Sequence, residues 1–410
     1  MNPYPGLRPF AEDDSPYFRG RDAEIEQLLN LLAVERFVVV TGTSGSGKSS
    51  LVQAGVIPIL RSGLATDLAA DWTIVVIRPS RGPLERLREL LGAITAPSVS
   101  AGAPPEIFTQ PSDLLSFARQ KLAPGGRLLV VVDQFEEIFD YRRDKQSVDG
   151  GNECALFVNL LLAATDQRDT PVSVLLTMRS DYLGECSQFR GLAEALNRGH
   201  YLVPRLTRLQ QEEAIVGPAA SLGVEFEPNL VQRLLNDSED NADRLPVLQH
   251  ILKRLWEQLA PSVSAGAVIA ENDYQAIGGW GGALEKDAGG VLDQFSTPER
   301  TGVARLFQWI TVTNAAGQPI RRPRPLGELP ATTGIERTRL AEVIRAFAAR
   351  DLLQIGGETT DDSAPIDLTH ESVIWNWQWL QQATSEEAAV ATQANFLKLL
   401  VSVDERARIP

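Results

Sequence analysis

The chain has 410 residues, 43% of them hydrophobic and 22% charged, and a formal net charge of −14. That length allows two or three domains with a sizeable core, and the composition is that of an ordinary globular protein. The acidic balance argues against nucleic acid and anionic lipid as default partners, so an anionic ligand would have to be held by local donors and not by the overall field.

No apolar run approaches the roughly 18 residues of a membrane-spanning helix. The start, Met1-Asn2-Pro3-Tyr4-Pro5, has no basic stretch followed by an apolar one, so no secretory signal is expected. The expectation is a cytoplasmic protein without a membrane partner. The two cysteines, Cys154 and Cys186, form neither a CxxC pair nor a His/Cys ligand spacing, and read as packed thiols.

In chain order, 37–41, 72–77, 127–132 and 172–178 are short, continuous apolar runs rich in β-branched residues. Unbroken runs of this kind suit strands covered on both faces, as in a parallel sheet. Helical patterns lie between them at 83–92, 111–122, 134–141 and 154–164, and residues 95–107 read as a Pro/Ser/Ala/Gly loop. Alternating strand and helix predicts an α/β domain over 1–204. Helices with little strand signal follow at 207–221, 228–236 and 243–259, giving a helical domain over 205–265, with 260–270 as a linker. Pro246 falls near the start of the last helix, where its missing N–H costs little. Further helices are expected at 281–294, 298–310 and 336–350, then strands at 352–355 and 366–369 around a Gly356-Gly357 turn, then a helix from Glu371. Helices followed by a hairpin suggest a winged helix over 270–382. Residues 383–410 would form a terminal helix, Ala-rich and exposed over 384–405. Of Trp375, Trp377 and Trp379, the second shares a helical face with Val373, Ile374 and Leu380 and is expected in the core.

The segment Gly42-Thr43-Ser44-Gly45-Ser46-Gly47-Lys48-Ser49 matches GxxxxGK[ST], with a strand before it and a helical pattern after it. Glycines let successive main-chain N–H groups turn toward one anion, and the helix N-terminus adds partial positive charge. The candidate phosphate-binding residues are Thr43, Ser44, Gly45, Ser46, Gly47, Lys48, Ser49 and Ser50. Lys48 would reach the β- and γ-phosphates, and Ser49 would offer a hydroxyl to magnesium. Asp133 ends the strand 127–132 and is the candidate second magnesium ligand, through water. Glu136, with Glu137 as the second choice, could orient an attacking water. Arg179, immediately after strand 172–178, could reach the γ-phosphate. The expected ligands are therefore ATP or ADP with Mg2+. No [NT]KxD string is present to read guanine, which disfavours GTP.

With these residues in view the chain resembles a STAND-class NTPase of the type called novel STAND NTPase 1, over about residues 2–382. The resemblance rests on Asn2–Phe10, on Phe18-Arg19-Gly20-Arg21-Asp22-Ala23-Glu24 as an hhGRxxE box, and on the P-loop through Gly55. It rests further on Val132–Glu137, Thr177–Tyr182, Leu245–His250, Gly278–Leu284 and Leu368–Ile374. It implies a signalling switch that is closed with ADP and that opens and oligomerises with ATP. Gly20 and Arg21 would lie against the adenine, Pro246 would touch the base, and His370 would sense the β-phosphate of ADP. Gln134 stands where many such proteins carry a second acid, which implies slow hydrolysis. A sensor array or effector domain, usual in such proteins, is not visible, which implies either that the chain is a fragment of a longer protein or that its partners are separate proteins. The alternative reading is a nucleotide-gated winged-helix DNA-binding regulator. Arg337, Arg339, Arg345 and Arg350 support it, but Glu336, Glu342 and the overall acidity oppose it.

Overall fold

The computed structural model describes residues 2–383, except 65–67, 69, 80–81, 95–107, 145–147, 168, 240–243, 260–265 and 314–318. The expected loop 95–107 and terminal helix 384–405 lie outside the described residues. The described residues fall into two compact units, one drawn from Pro9–Ser221 and the other from Met1–Arg8 with Leu222–Pro410.

The first unit is built on five parallel strands in the order β2-β3-β4-β1-β5. These are β1 (Phe37–Gly42), β2 (Trp72–Ile77), β3 (Arg127–Val132), β4 (Val172–Arg179) and β5 (His200–Leu202). Successive strand residues face opposite sides of a sheet. Val38, Val40, Leu129, Val131 and Leu175 pack with α1 (Asp22–Val34) and with the helical run after β1. Val39, Val130, Val132, Val174 and Leu176 pack with α4 (Pro83–Ile94), α5 (Asp113–Lys121), α6 (Glu137–Asp144), α7 (Val148–Thr165) and α8 (Leu192–Arg198). In β1, β3 and β4 both faces are covered, which is why these strands read as unbroken apolar runs.

The run after β1 is continuous: α2 (Lys48–Ser50), a π-helical segment (Leu51–Val56) and α3 (Ile57–Ser62). Pro58 lacks the N–H that would bond one turn back, and Ile57 N–H reaches Val52 O, five residues away, so the helix widens just before the proline. The unit closes with α9 (Arg208–Ala220), whose N-cap Thr207 and Gln210 form a capping box.

Two expectations change here. The helix expected from residue 134 starts at Glu137, because Gln134 adopts φ 58°, a left-handed turn that no helix continues through. β5 was not expected. Its three residues, His-Tyr-Leu, have no apolar run to signal a strand.

The second unit opens with β6 (Val224–Phe226), α10 (Pro228–Glu239) and α11 (Arg244–Leu259), then β7 (Ala267–Ile269), parallel to β6. The expected linker 260–270 thus contains a strand in its described part. Next come α12 (Glu271–Ala276), α13 (Gly279–Leu292) and α14 (Thr297–Trp309), with a two-stranded pair, β8 (Thr311–Thr313) and β9 (Pro319–Arg321). After β10 (Arg324–Pro325) follow α15 (Leu329–Thr333), α16 (Arg337–Ala348), β11 (Leu353–Ile355), β12 (Pro365–Leu368) and α17 (Ser372–Asn376). β10, β12 and β11 form an antiparallel sheet in that order. Leu284, Phe307, Leu340, Phe347, Ile366 and Trp377 share one core in this unit. Trp377 is fully buried, as expected, while Trp375 is exposed. The helical face proposed for Trp377 is interrupted, since this residue takes φ −109° and ψ 94° at the end of α17. No helix among the described residues is long and apolar enough to cross a membrane.

Candidate functional site

The glycine-rich loop leaves the C-terminal end of β1 and enters α2 at Lys48. Gly47 caps that helix at φ 88°. A Cβ there would meet nothing within 4 Å, so the positive φ, and not crowding, is what demands glycine. Lys48 Nζ donates to the carbonyls of Gly42 (3.1 Å) and Thr43 (2.7 Å), which holds the ammonium over its own loop. Ser46 Oγ is buried in the loop and has no hydrogen-bond partner among the described residues. Ser50 Oγ accepts from Phe10 N at 3.1 Å, which ties the N-terminal segment to the start of the helix.

Strand register brings the acidic side to the same sheet edge. Ile77 pairs with Val132, and Val132 with Leu176, so the next residues, Arg78, Asp133 and Thr177, stand level across β2, β3 and β4. Asp133 is 1% exposed. Its Oδ1 accepts from Ser49 Oγ and from Thr177 Oγ1, both at 2.6 Å. Its Oδ2 accepts from Gln53 Nε2 at 3.1 Å and lies 3.6 Å from a guanidinium nitrogen of Arg78. The loop serine and the strand aspartate therefore meet directly, although their strands, β1 and β3, are separated by β4.

Thr177 and Gln53 lie in segments that carry the family resemblance, but sequence reasoning alone assigns neither a role at the site. Thr177 Oγ1 also accepts from Gln134 N at 2.9 Å, an interaction made possible by the left-handed turn at Gln134. For Gln53 a signal existed: it lies four residues after Ser49 on a helical run, and i,i+4 side chains share a face.

Glu136 is buried at the same edge, and its Oε2 accepts from Arg179 N at 3.3 Å. Burial pushes its carboxyl above the usual carboxylate range, against the pull of Lys48 and Arg179. Glu137 is the first residue of α6. The Arg179 guanidinium is gripped by Asp181, with Nε to Oδ1 at 3.1 Å and a terminal nitrogen to Oδ2 at 2.8 Å.

Gly20 and Arg21 sit just before α1. A Cβ on Gly20 would come within 2.3 Å of Gln210 O, so only glycine lets α9 approach this closely. Arg21 is buried and donates to Ser46 O (3.3 Å), Pro204 O (2.9 Å) and Glu24 Oε1 (3.1 Å). Burial lowers its pKa, with Glu24 opposing. Arg21 thus braces the loop through a main-chain carbonyl. Gln210 Nε2 in turn donates to Glu24, which joins the brace to α9.

Pro246 and His370 belong to the second unit. Pro246 is half-buried in the first turn of α11. His370 Nδ1 accepts from Ser372 N at 3.1 Å and lies 3.0 Å from Ser372 Oγ. A ring nitrogen that accepts a main-chain N–H carries no proton, so the neutral ring holds its hydrogen on Nε2.

A phosphate-type cradle between strand and helix, with its serine on a carboxylate from a second strand, defines a P-loop NTPase. The class has more than one branch, and the match along the chain settles which. The chain belongs to the Novel STAND NTPase 1 family, whose family model matches residues 3–401. No curated protein matches the chain in sequence. Among solved structures it is similar to the Aeropyrum pernix ORC1 protein in complex with DNA, with 15% identity, 93% of this chain and 96% of that one covered, and a TM-score of 0.46. It is also similar to the Aeropyrum pernix ORC2 protein in its ADPNP–ADP complexes, with 13% identity, 91% and 96% covered, and a TM-score of 0.47. Likenesses at this level do not extend to function.

Proposed function

We propose that this protein is a signalling switch that binds ATP or ADP with magnesium and hydrolyses ATP slowly. The observation that carries the reading is the 2.6 Å contact between Ser49 Oγ and Asp133 Oδ1, next to a loop whose lysine lies over it. One hydroxyl and one carboxylate fit Mg2+, which keeps several waters and takes phosphate oxygens as further ligands. Among the described residues no cluster of three or more His, Cys, Asp or Glu is placed to hold a metal by protein groups alone, which is in keeping with a metal that arrives with its nucleotide.

In this reading Thr43, Ser44, Gly45, Ser46 and Gly47 present main-chain donors to the phosphates, and Lys48 leaves its two carbonyls for the β- and γ-oxygens. Ser49 and Asp133 hold the metal, whose chemistry is to neutralise charge between the phosphates. Ser50 keeps the helix start in place. Glu136 positions the water and Arg179 faces the γ-phosphate once released from Asp181. Gln134 beside Asp133, where many such proteins carry a second acid, favours slow turnover.

The domain division we propose is 1–204 for nucleotide, 205–265 as a helical domain, 270–382 as a winged helix and 383–410 as a terminal helix. The winged-helix reading is supported by α16 followed by the β11–β12 pair. By resemblance to the family, Gly20, Arg21 and Pro246 serve the adenine, and His370 the β-phosphate of ADP, with self-association in the ATP state. An effector or sensor, carried on a longer chain or by a separate protein, completes the system. As for the DNA-binding alternative, Arg337 is paired with Asp362, Arg339 with Glu299 and Glu342, and Arg345 donates to Thr359, all in the same unit. Retention on duplex DNA at low salt measures what is left of that alternative.

The test is the nucleotide retained by purified protein and its magnesium-dependent affinity. Wild type should retain ADP. Lys48→Ala should lose about a hundredfold in affinity, the scale of a desolvated charge-assisted contact. Binding by Lys48→Ala equal to that of wild type would overturn the reading, and equal competition by GTP would overturn the choice of base.

A further inference from the structure

Among the described residues Arg78 is the one cation at the sheet edge that the site as described leaves without a role. It is the first residue after β2, a strand outboard of the magnesium carboxylate. Its guanidinium lies 3.6 Å from Asp133 Oδ2, and its side chain is 34% exposed. Among the described residues Asp133 is the one carboxylate within ion-pair distance of it.

Three features make this pair unlike a structural salt bridge. The distance is beyond hydrogen-bond range, so the guanidinium is held by charge and not by a directed fork. Asp133 does not need it, because Ser49, Thr177 and Gln53 already supply three hydrogen bonds to the two oxygens. And the contact is with the oxygen opposite to the one that Ser49 reaches, so the cation stands on the outer flank of the metal position. A divalent cation between Ser49 and Asp133 would compete with the guanidinium for the same carboxylate. A one-third exposed arginine has the freedom to turn away, and the nearest new anion would be the terminal phosphate on the same metal. Arg179, the other arginine at this edge, is fully engaged as a bidentate partner of Asp181.

We propose that Arg78 is a second cationic nucleotide-binding residue, released from Asp133 when metal binds and specific for a terminal γ-phosphate. The proposal rests on the nucleotide reading above and adds to it the residue that tells a triphosphate from a diphosphate. A planar guanidinium suits this task, since it can grip two phosphate oxygens at once and is always charged.

Isothermal titration with Mg2+ and either ADP or the non-hydrolysable ATP analogue ADPNP tests it. Arg78→Ala should lose about tenfold or more in ADPNP affinity, the lower end for a hydrogen bond to a charged group. ADP affinity should stay within about twofold of wild type, which also certifies the fold of the variant. Arg78→Lys should recover only part of the loss. An unchanged ADPNP-to-ADP ratio overturns the proposal, and so does an equal fall for both nucleotides, which would make Arg78 a support for Asp133 alone. Neither result touches the nucleotide reading itself, which falls if wild type binds neither ligand or if Lys48→Ala binds as wild type does.

Discussion

Each unit of this protein buries a pair of carboxylates close together in the chain, Asp133 with Glu136 and Asp367 with Glu371, and the two pairs are treated in opposite ways. In the second unit a single arginine, Arg321, donates to Asp367 Oδ2 at 2.9 Å and lies 3.4 Å from Glu371 Oε1. Gln354 Nε2 and the main-chain N–H of Leu368 complete the hydrogen bonds to Asp367. In the first unit Asp133 and Glu136 have two arginines nearby, and neither arginine side chain is committed to them. Arg78 stands at 3.6 Å, and Arg179 offers Glu136 only its main-chain N–H while its side chain grips Asp181. Hydroxyl and amide donors orient a carboxylate without cancelling its charge, whereas a guanidinium in contact cancels it. The first pair is therefore left able to attract a cation, and the second is closed. Burial alone does not separate a functional carboxylate from a structural one; the kind of donor that surrounds it does.

The widest gap between the two pairs should appear at their glutamates. Glu136→Gln should lower ATP turnover by about a hundredfold or more, the usual weight of a positioned base, and leave ATP bound. Glu371→Gln should leave turnover within about twofold of wild type, as befits a group with no positioned-base role. A turnover unchanged in Glu136→Gln would move the role to Glu137. The pH dependence of stability gives a second reading. The folded-state pKa of Glu136 is raised by burial, so its ionised form costs stability. That cost is absent below the ordinary carboxylate range and complete above the raised value. Glu136→Gln should therefore melt higher than wild type at neutral pH, and the gain should vanish as pH falls through the carboxylate range. A gain that grows on acidification would reverse the assignment.

The aspartates should differ by less, but in kind. Asp133→Asn should lose about tenfold in the magnesium dependence of nucleotide affinity, and, since Asp133 is itself buried with three hydrogen bonds, should also cost about 1–3 kcal/mol in stability. Asp367→Asn should leave the magnesium dependence intact and cost about 1–3 kcal/mol in stability, because it disturbs a buried, fully bonded group. Calorimetric melts and magnesium titrations on both variants decide. If Asp367→Asn shifted the magnesium dependence, the contrast between the two pairs would be lost.

The difference also marks how far the sequence could be read. Strands β1, β3 and β4 were legible because both their faces are buried, β2 because its run is apolar although Val76 is exposed, and the loop because its glycines, lysine and serine sit at a fixed spacing between strand and helix. Asp133 followed from its position at a strand end. What surrounds Asp133 did not. Thr177 comes from the next strand and Arg78 from the one beyond, and only the parallel register sets all three level. Gln53 was within reach, through its helical spacing from Ser49. The Arg321 clamp was out of reach, since its two carboxylates lie 46 and 50 residues further along the chain. Short strands such as β5, β6 and β7 carry only three residues each, too few to show a period.

The smallest effect is expected at His370, and it probes whether the closed pair has any link to the ligand. The ring is fixed by local contacts: Ser372 N donates to Nδ1, so Nε2 carries the hydrogen and is the donor. On one side Nε2 lies 3.8 Å from Glu371 Oε2, the carboxylate that Arg321 already serves. A structural histidine would use that donor only within its own unit, and His370→Ala would then lower the melting temperature and leave both nucleotides alone. A histidine that senses the β-phosphate of ADP would use it on the ligand, and the substitution would weaken ADP by several-fold, about 1 kcal/mol, with ADPNP unaffected. The His370→Gln variant separates the two further, because its amide keeps a donor while losing the ring. Partial recovery of ADP affinity in that variant would bind the second unit to the nucleotide state, and recovery of melting temperature alone would leave its carboxylate pair as scaffold.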